Sequence, residues 1–171
     1  RQMCIRDRVK IQGKVKELIA EHRSGVFDTW LEQDKISCLP NYALPVVISP
    51  TAYTSMVPKS LYTAEEDMNE YEFKVVWALS ELGNVKWWHR NISRLGFQIN
   101  GPVHAYPDII VMLHSGKVLM VETKGDHLDN DESKEKAKIG DQWAKLAGKQ
   151  YKYYMVFETK QPDYPGAYSM E

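Results

Sequence analysis

Glu122 and Lys124 stand two residues apart at the end of a strand-like segment, and Asp108 opens the strand-like segment before it, directly after Pro107. On a strand, residues i and i+2 share a face, and a hairpin sets the start of one strand beside the end of the next. Asp108, Glu122 and Lys124 therefore converge at one sheet edge. Two carboxylates and the Thr123 carbonyl are the hard oxygen ligands that Mg²⁺ prefers, and an ammonium beside them stabilises charge on an attacked phosphate or orients the attacking water. That combination suits phosphodiester cleavage.

The pattern E-x-K is cheap in this chain, because it also occurs at Glu72/Lys74, Glu132/Lys134 and Glu158/Lys160. Glu72 lies in a helical stretch, where i and i+2 diverge. Glu132 sits in a polar loop, and the Pro162-Asp163 pair follows Glu158 instead of preceding it. Only Glu122 has an upstream Pro-Asp on a partner strand.

Several elements must position these groups. Met68, Tyr71, Val75, Val76, Leu79 and Leu82 form one apolar helical face, with Thr63 and Glu66 reading as a capping box at its start and Gly83 as its stop. Val85–His89 reads as a strand and Leu95–Asn100 as a turn or short strand. Asp108–Leu113 and Lys117–Glu122 form a hairpin joined by His114, Ser115 and Gly116. Ile139, Trp143, Leu146 and Ala147 predict a helix over Ser133–Gly148, and Tyr153–Phe157 a last strand. The order helix, strand, strand, strand, helix, strand gives an α/β or mixed α+β domain, with a central mixed sheet flanked by helices.

The 171 residues are 43% hydrophobic and 26% charged, enough apolar material for a core and too much for a disordered chain. Apolar stretches such as Ile109–Leu113 fall far short of the roughly 20 residues of a membrane-spanning helix. Cys4 and Cys38 support neither a disulfide framework nor a zinc site, so the expected setting is reducing and cytoplasmic. With 22 Lys and Arg against 23 Asp and Glu, any nucleic-acid contact must be local.

The chain starts at Arg1 and soon enters a helical pattern of Ile11, Val15, Leu18, Ile19 and His22, as the tail of something longer would. Pro40, Pro45, Pro50 and Pro58 mark an extended connector with at most a short strand at Val46–Ile48. Residues 1–58 thus read as helix and connector, 59–160 as the main domain and 161–171 as a tail.

The run AYPDIIVMLHSGKVLMVETKGDHL resembles the PD-(D/E)XK nuclease superfamily, with Pro107-Asp108 as the first half of its motif and Glu122-Thr123-Lys124 as the second. LYTAEEDMN, VKWWHRN, YPDIIV, VETKGDHL and SKEKAKIGDQW are similar to the C-terminal nuclease domain of type III restriction subunits and related DEAD/DEAH-type helicases. The resemblance implies a restriction-endonuclease-like αβββαβ core and a DNA endonuclease dependent on Mg²⁺, with Mn²⁺ able to substitute. It also implies an upstream helicase or ATPase domain in the same polypeptide and a methyltransferase partner subunit. Asp108, Glu122 and the Thr123 carbonyl would hold the metal.

The family often uses another acid on the first helix. With Met68 at 0°, Glu72 falls at about 40°, inside the apolar stripe, and Glu70 at about 200°, on the solvated side. An unpaired carboxylate on a buried face is costly, so Glu72 is carried over as the third acid, catalytic and a further metal ligand beside Asp108, Glu122 and Thr123. Lys136 and Gln142 share the face of Ile139 and Trp143, and the resemblance implies that they reach towards the site as further nucleic-acid contacts. Lys86, Arg90 and Arg94, in a stretch without acids, are candidate nucleic-acid contacts, whereas Trp87 and Trp88 read as core. His89, His104, His114 and His127 show no partner and read as ordinary surface or core residues. The alternative is a catalytically silent nucleic-acid-binding or interaction module on the same fold.

Overall fold

The computed structural model describes residues 5–38, 41–52 and 56–170. Cys4 and Pro40 lie outside them, and Cys38 is a free thiol. The chain divides into two compact units between Ser37 and Cys38. Among its described residues the first holds a single helix, α1 (Ile5–Glu32). Among the described residues no helix is long and apolar enough to cross a membrane.

The second unit is mixed α+β: α2 (Glu70–Glu81), β1 (Val85–Arg90), β2 (Ile109–Leu113), β3 (Val118–Lys124), α3 (Asp131–Ala147), β4 (Tyr151–Phe157) and β5 (Ala167–Ser169). The five strands lie in the order β1-β2-β3-β4-β5. The β1/β2 and β2/β3 pairs are antiparallel, whereas β3/β4 and β4/β5 are parallel. A hairpin suffices between β2 and β3, while the parallel β3–β4 step needs the crossover that α3 supplies.

Period-two alternation sorts the strands between two cores. Ile110, Met120, Tyr153 and Met155 pack with Ala137, Ile139 and Trp143 of α3. Ile109, Val111 and Val121 pack with Val75 and Val76 of α2. Each fully buried Val, Ile or Phe of these layers contributes about 1.5–3 kcal/mol. Trp88 is wholly buried and donates Nε1–H to the Pro58 carbonyl at 2.8 Å, which makes it core as expected, and Trp87 packs against the α3 layer.

The first helix starts later than the Thr63–Glu66 pattern predicts. Glu66 instead accepts Thr51 N–H at 3.1 Å and Thr51 Oγ1–H at 2.6 Å, while Lys59–Leu61 hydrogen-bonds along Trp88 and covers the β1 edge. The cap is Asn69: its side chain accepts Glu72 N–H, and the Glu72 carboxylate accepts Asn69 N–H, both at 2.9 Å. The helix ends at Glu81, before Gly83.

Two further expectations change, and a third resolves to one of its alternatives. Val46 and Val47 are 95% and 75% exposed and form no strand, although Tyr42 and Leu44 of the same connector pack against the α3 core. Leu95–Asn100, read as a turn or short strand, is a turn; it carries the isolated bridge Ile99 to Ala105 and is held by the bonds between Asn91 and Phe97. The stretch read as a tail adds the edge strand β5, paired Met155 to Ala167.

Candidate active site

Three strand ends and two helix starts meet at one end of the sheet. Asn91, just past β1, fixes the chain before β2: its N–H donates to the Asp108 carbonyl at 2.8 Å, and its Nδ2 donates to the carbonyls of Pro107 at 2.7 Å and Phe97 at 2.9 Å. Its Oδ1 accepts Phe97 N–H at 2.7 Å. Position 96 must be glycine for this knot to close, since a Cβ there would lie 2.1 Å from Asn91 Oδ1. The Asp108 carboxylate then reaches β3, where Oδ2 accepts Thr123 N–H at 2.7 Å and Thr123 Oγ1–H at 2.9 Å.

Glu122 and Lys124 share the α3 face of β3, as their spacing predicts. Lys124 Nζ lies 2.5 Å from Glu122 Oε1, and the Tyr153 hydroxyl donates to Glu122 Oε2 at 2.7 Å. A buried carboxylate is costly unless both oxygens are engaged, and here both are. Burial first, and then the Glu122 carboxylate, push the Tyr153 hydroxyl well above the ordinary tyrosine range, so it remains a donor.

Lys136 approaches from α3 and pairs with Glu132 at 2.8 Å. Burial by itself lowers the pKa of the Lys136 ammonium, but the bond to Glu132 and the charges of Glu122, Glu132 and Asp108 outweigh it and raise it. The same bond, with Lys124 adding to it, holds the Glu132 carboxyl below its usual range. Lys136 is thus bonded to Glu132 and lies within electrostatic reach of Glu122 and Asp108. Gln142 is half-buried farther along α3, with no bond to the site acids.

Glu72 is buried on α2, as the wheel predicts, and the structure explains why without a metal: it closes the helix cap and binds Arg90 Nη2 at 3.0 Å. Arg90 Nη1 lies 3.7 Å from Asp108 Oδ1 and donates to the Asp108 carbonyl at 3.4 Å. Arg90 therefore links two acids internally instead of standing free on the surface. Lys86 and Arg94 are exposed, outside this cluster.

His89 has the partner that sequence reading missed. Its Nδ1 lies 2.9 Å from Glu65 Oε2, which also accepts Arg90 N–H at 3.1 Å, while Ser60 Oγ donates to Glu65 Oε1 at 2.9 Å. Tyr62 packs edge-on against the imidazole, with ring centroids 4.9 Å apart. Glu65 was hidden because the capping pattern placed it in a helical first turn. His104, His114 and His127 are exposed.

Among the described residues no three His, Cys, Asp or Glu side chains group as a metal site. Mg²⁺ does not require three, since it keeps several waters and commonly takes one or two carboxylates. In a strand the N–H and C=O of one residue point to the same side, so the Thr123 carbonyl faces the edge from which Asp108 receives the Thr123 N–H. Asp108, Glu122 and that carbonyl form a hard-oxygen set that fits Mg²⁺ chemistry. Compared with protein families, curated proteins and solved structures, the chain finds no match.

Proposed function

We propose that residues 59–160 form the core of a Mg²⁺-dependent DNA endonuclease, the cleavage module of a cytoplasmic restriction or defence helicase-nuclease. The observation that carries this reading is the convergence of Asp108, Glu122 and Lys124, with Glu122 buried and Lys124 directly on its Oε1. Asp108, Glu122 and the Thr123 carbonyl would hold the metal, with Glu72 acting from behind through Arg90. A bound Mg²⁺ supplies Lewis-acid polarisation of the phosphate and a more acidic water. Lys124 stabilises negative charge growing on the attacked phosphate, and Lys136 adds a second ammonium on the α3 side. Arg90 holds Asp108 and Glu72 together against their mutual repulsion.

Supercoiled plasmid relaxation by the purified chain with Mg²⁺, Mn²⁺ or EDTA tests the reading. Metal-dependent nicking, lost in both Asp108→Ala and Lys124→Ala, is the expected result. Cleavage retained by Lys124→Ala, free of contaminating nuclease, overturns the assignment.

One observation favours a second reading, a silent nucleic-acid-binding or interaction module. Glu122 and Glu72 already have cation partners, Lys124 and Arg90. Such a module gains no stability from millimolar Mn²⁺, whereas a nuclease site gains it through binding linkage.

A further inference from the structure

We propose that Tyr153 is a positioning residue for the Glu122 carboxylate, seated by Gly140 of α3; this rests on the nuclease reading above. Tyr153 pairs with Met120 across the β3/β4 ladder, one step along the same face from Glu122. Both side chains are buried, and the hydroxyl reaches Glu122 Oε2 at 2.7 Å. The terminal torsion of a glutamate is broad and roughly two-fold, so an untethered carboxylate can turn either oxygen outward. Tying Oε2 to the core leaves Oε1 as the oxygen next to Lys124.

The interior of α3 shows what seating this ring requires. Glycine weakens a helix interior relative to alanine, yet Gly140 occupies one. A Cβ there would lie 2.3–2.4 Å from three atoms of the Tyr153 ring, so the helix can lie against the ring only without a side chain at that position. A phenylalanine would fill the same space. The hydroxyl is the part that packing does not explain, and its hydrogen bond goes to the candidate metal ligand. Groups that hydrogen-bond a metal-ligating carboxylate fix its orientation, and their loss commonly costs about 10–100-fold in metal affinity or activity.

The test uses the full chain with Mn²⁺ as the probe, reading thermal stabilisation against metal concentration alongside plasmid relaxation. Tyr153→Phe should fold and should raise the half-stabilising Mn²⁺ concentration about tenfold or more, with relaxation largely restored at saturating metal. Gly140→Ala, which displaces the ring, should shift the midpoint in the same direction. Adding Tyr153→Phe to Glu122→Gln should shift it no further, because the carboxylate being positioned is gone. A Tyr153→Phe midpoint equal to that of the wild type, whatever its metal-free melting temperature, reduces the tyrosine to packing and overturns the proposal. A wild-type chain that Mn²⁺ neither stabilises nor activates overturns the nuclease reading itself, a distinguishable failure.

Discussion

Glu65 and Glu122 are equally buried, each 2% exposed, yet they are held in different ways. Glu65 receives His89, the Arg90 backbone N–H and Ser60, two side chains and a backbone group of the β1 edge. Glu122 receives one rigid phenol and one lysine, and that lysine's side chain is 15% exposed, on a long stem at the end of β3. A buried acid whose partners are all locked by packing organises the fold. One whose second partner is a lysine at a strand end, partly open to solvent, keeps a charged neighbour at the surface of the site. The difference lies in the kind and exposure of the partners and not in the depth of burial.

Breaking the solvent-facing side should have the largest effect. Lys124→Ala is expected to lower metal-dependent nicking by about 10²–10³-fold, the scale of losing one transition-state charge donor. The melting temperature should change modestly, because Tyr153 still holds Glu122. A rate within a few-fold of the wild type would make Lys124 an ordinary counter-ion.

Breaking the locked side should appear in stability. Glu65→Ala strands His89, Ser60 and the Arg90 N–H and should cost about 1–3 kcal/mol, the scale for a buried polar group left unsatisfied. Urea unfolding measures this directly, and a loss below about 1 kcal/mol would contradict the locked-cluster description.

A smaller effect concerns alkali. Burial raises the Tyr153 and Tyr154 hydroxyls, and Tyr164 is pushed up to about 12 by burial and Asp129. In the unfolded chain a tyrosine ionises near pH 10. The folded state prefers the neutral phenol, so this stability is complete below about pH 10 and is lost as pH rises toward about 12. Thermal melts should fall across that window, and a flat profile would contradict the burial of these phenols.

What the sequence made legible is local. Asp108, Glu122 and Lys124 were found because strand alternation and a short glycine-containing connection fix the β2/β3 register within a few residues. Helical periodicity, equally local, places Glu72 inward on α2. The Glu65–His89 contact spans 24 positions and has no periodic signal. Two successive cap patterns, Thr63 with Glu66 and Asn69 with Glu72, satisfy the same local rule, and tertiary bonds to Thr51 and Trp88 decide between them. Strand β5, three residues long after Tyr164-Pro165-Gly166, exists only because β4 offers an edge.

The most direct test compares Glu122→Gln with Glu65→Gln, measuring Mn²⁺-dependent nicking per folded molecule alongside the melting temperature. The account predicts that Glu122→Gln melts close to the wild type and does not nick, while Glu65→Gln melts lower and nicks within about threefold of the wild-type rate. Normal nicking by Glu122→Gln, or loss of nicking confined to Glu65→Gln, would contradict it.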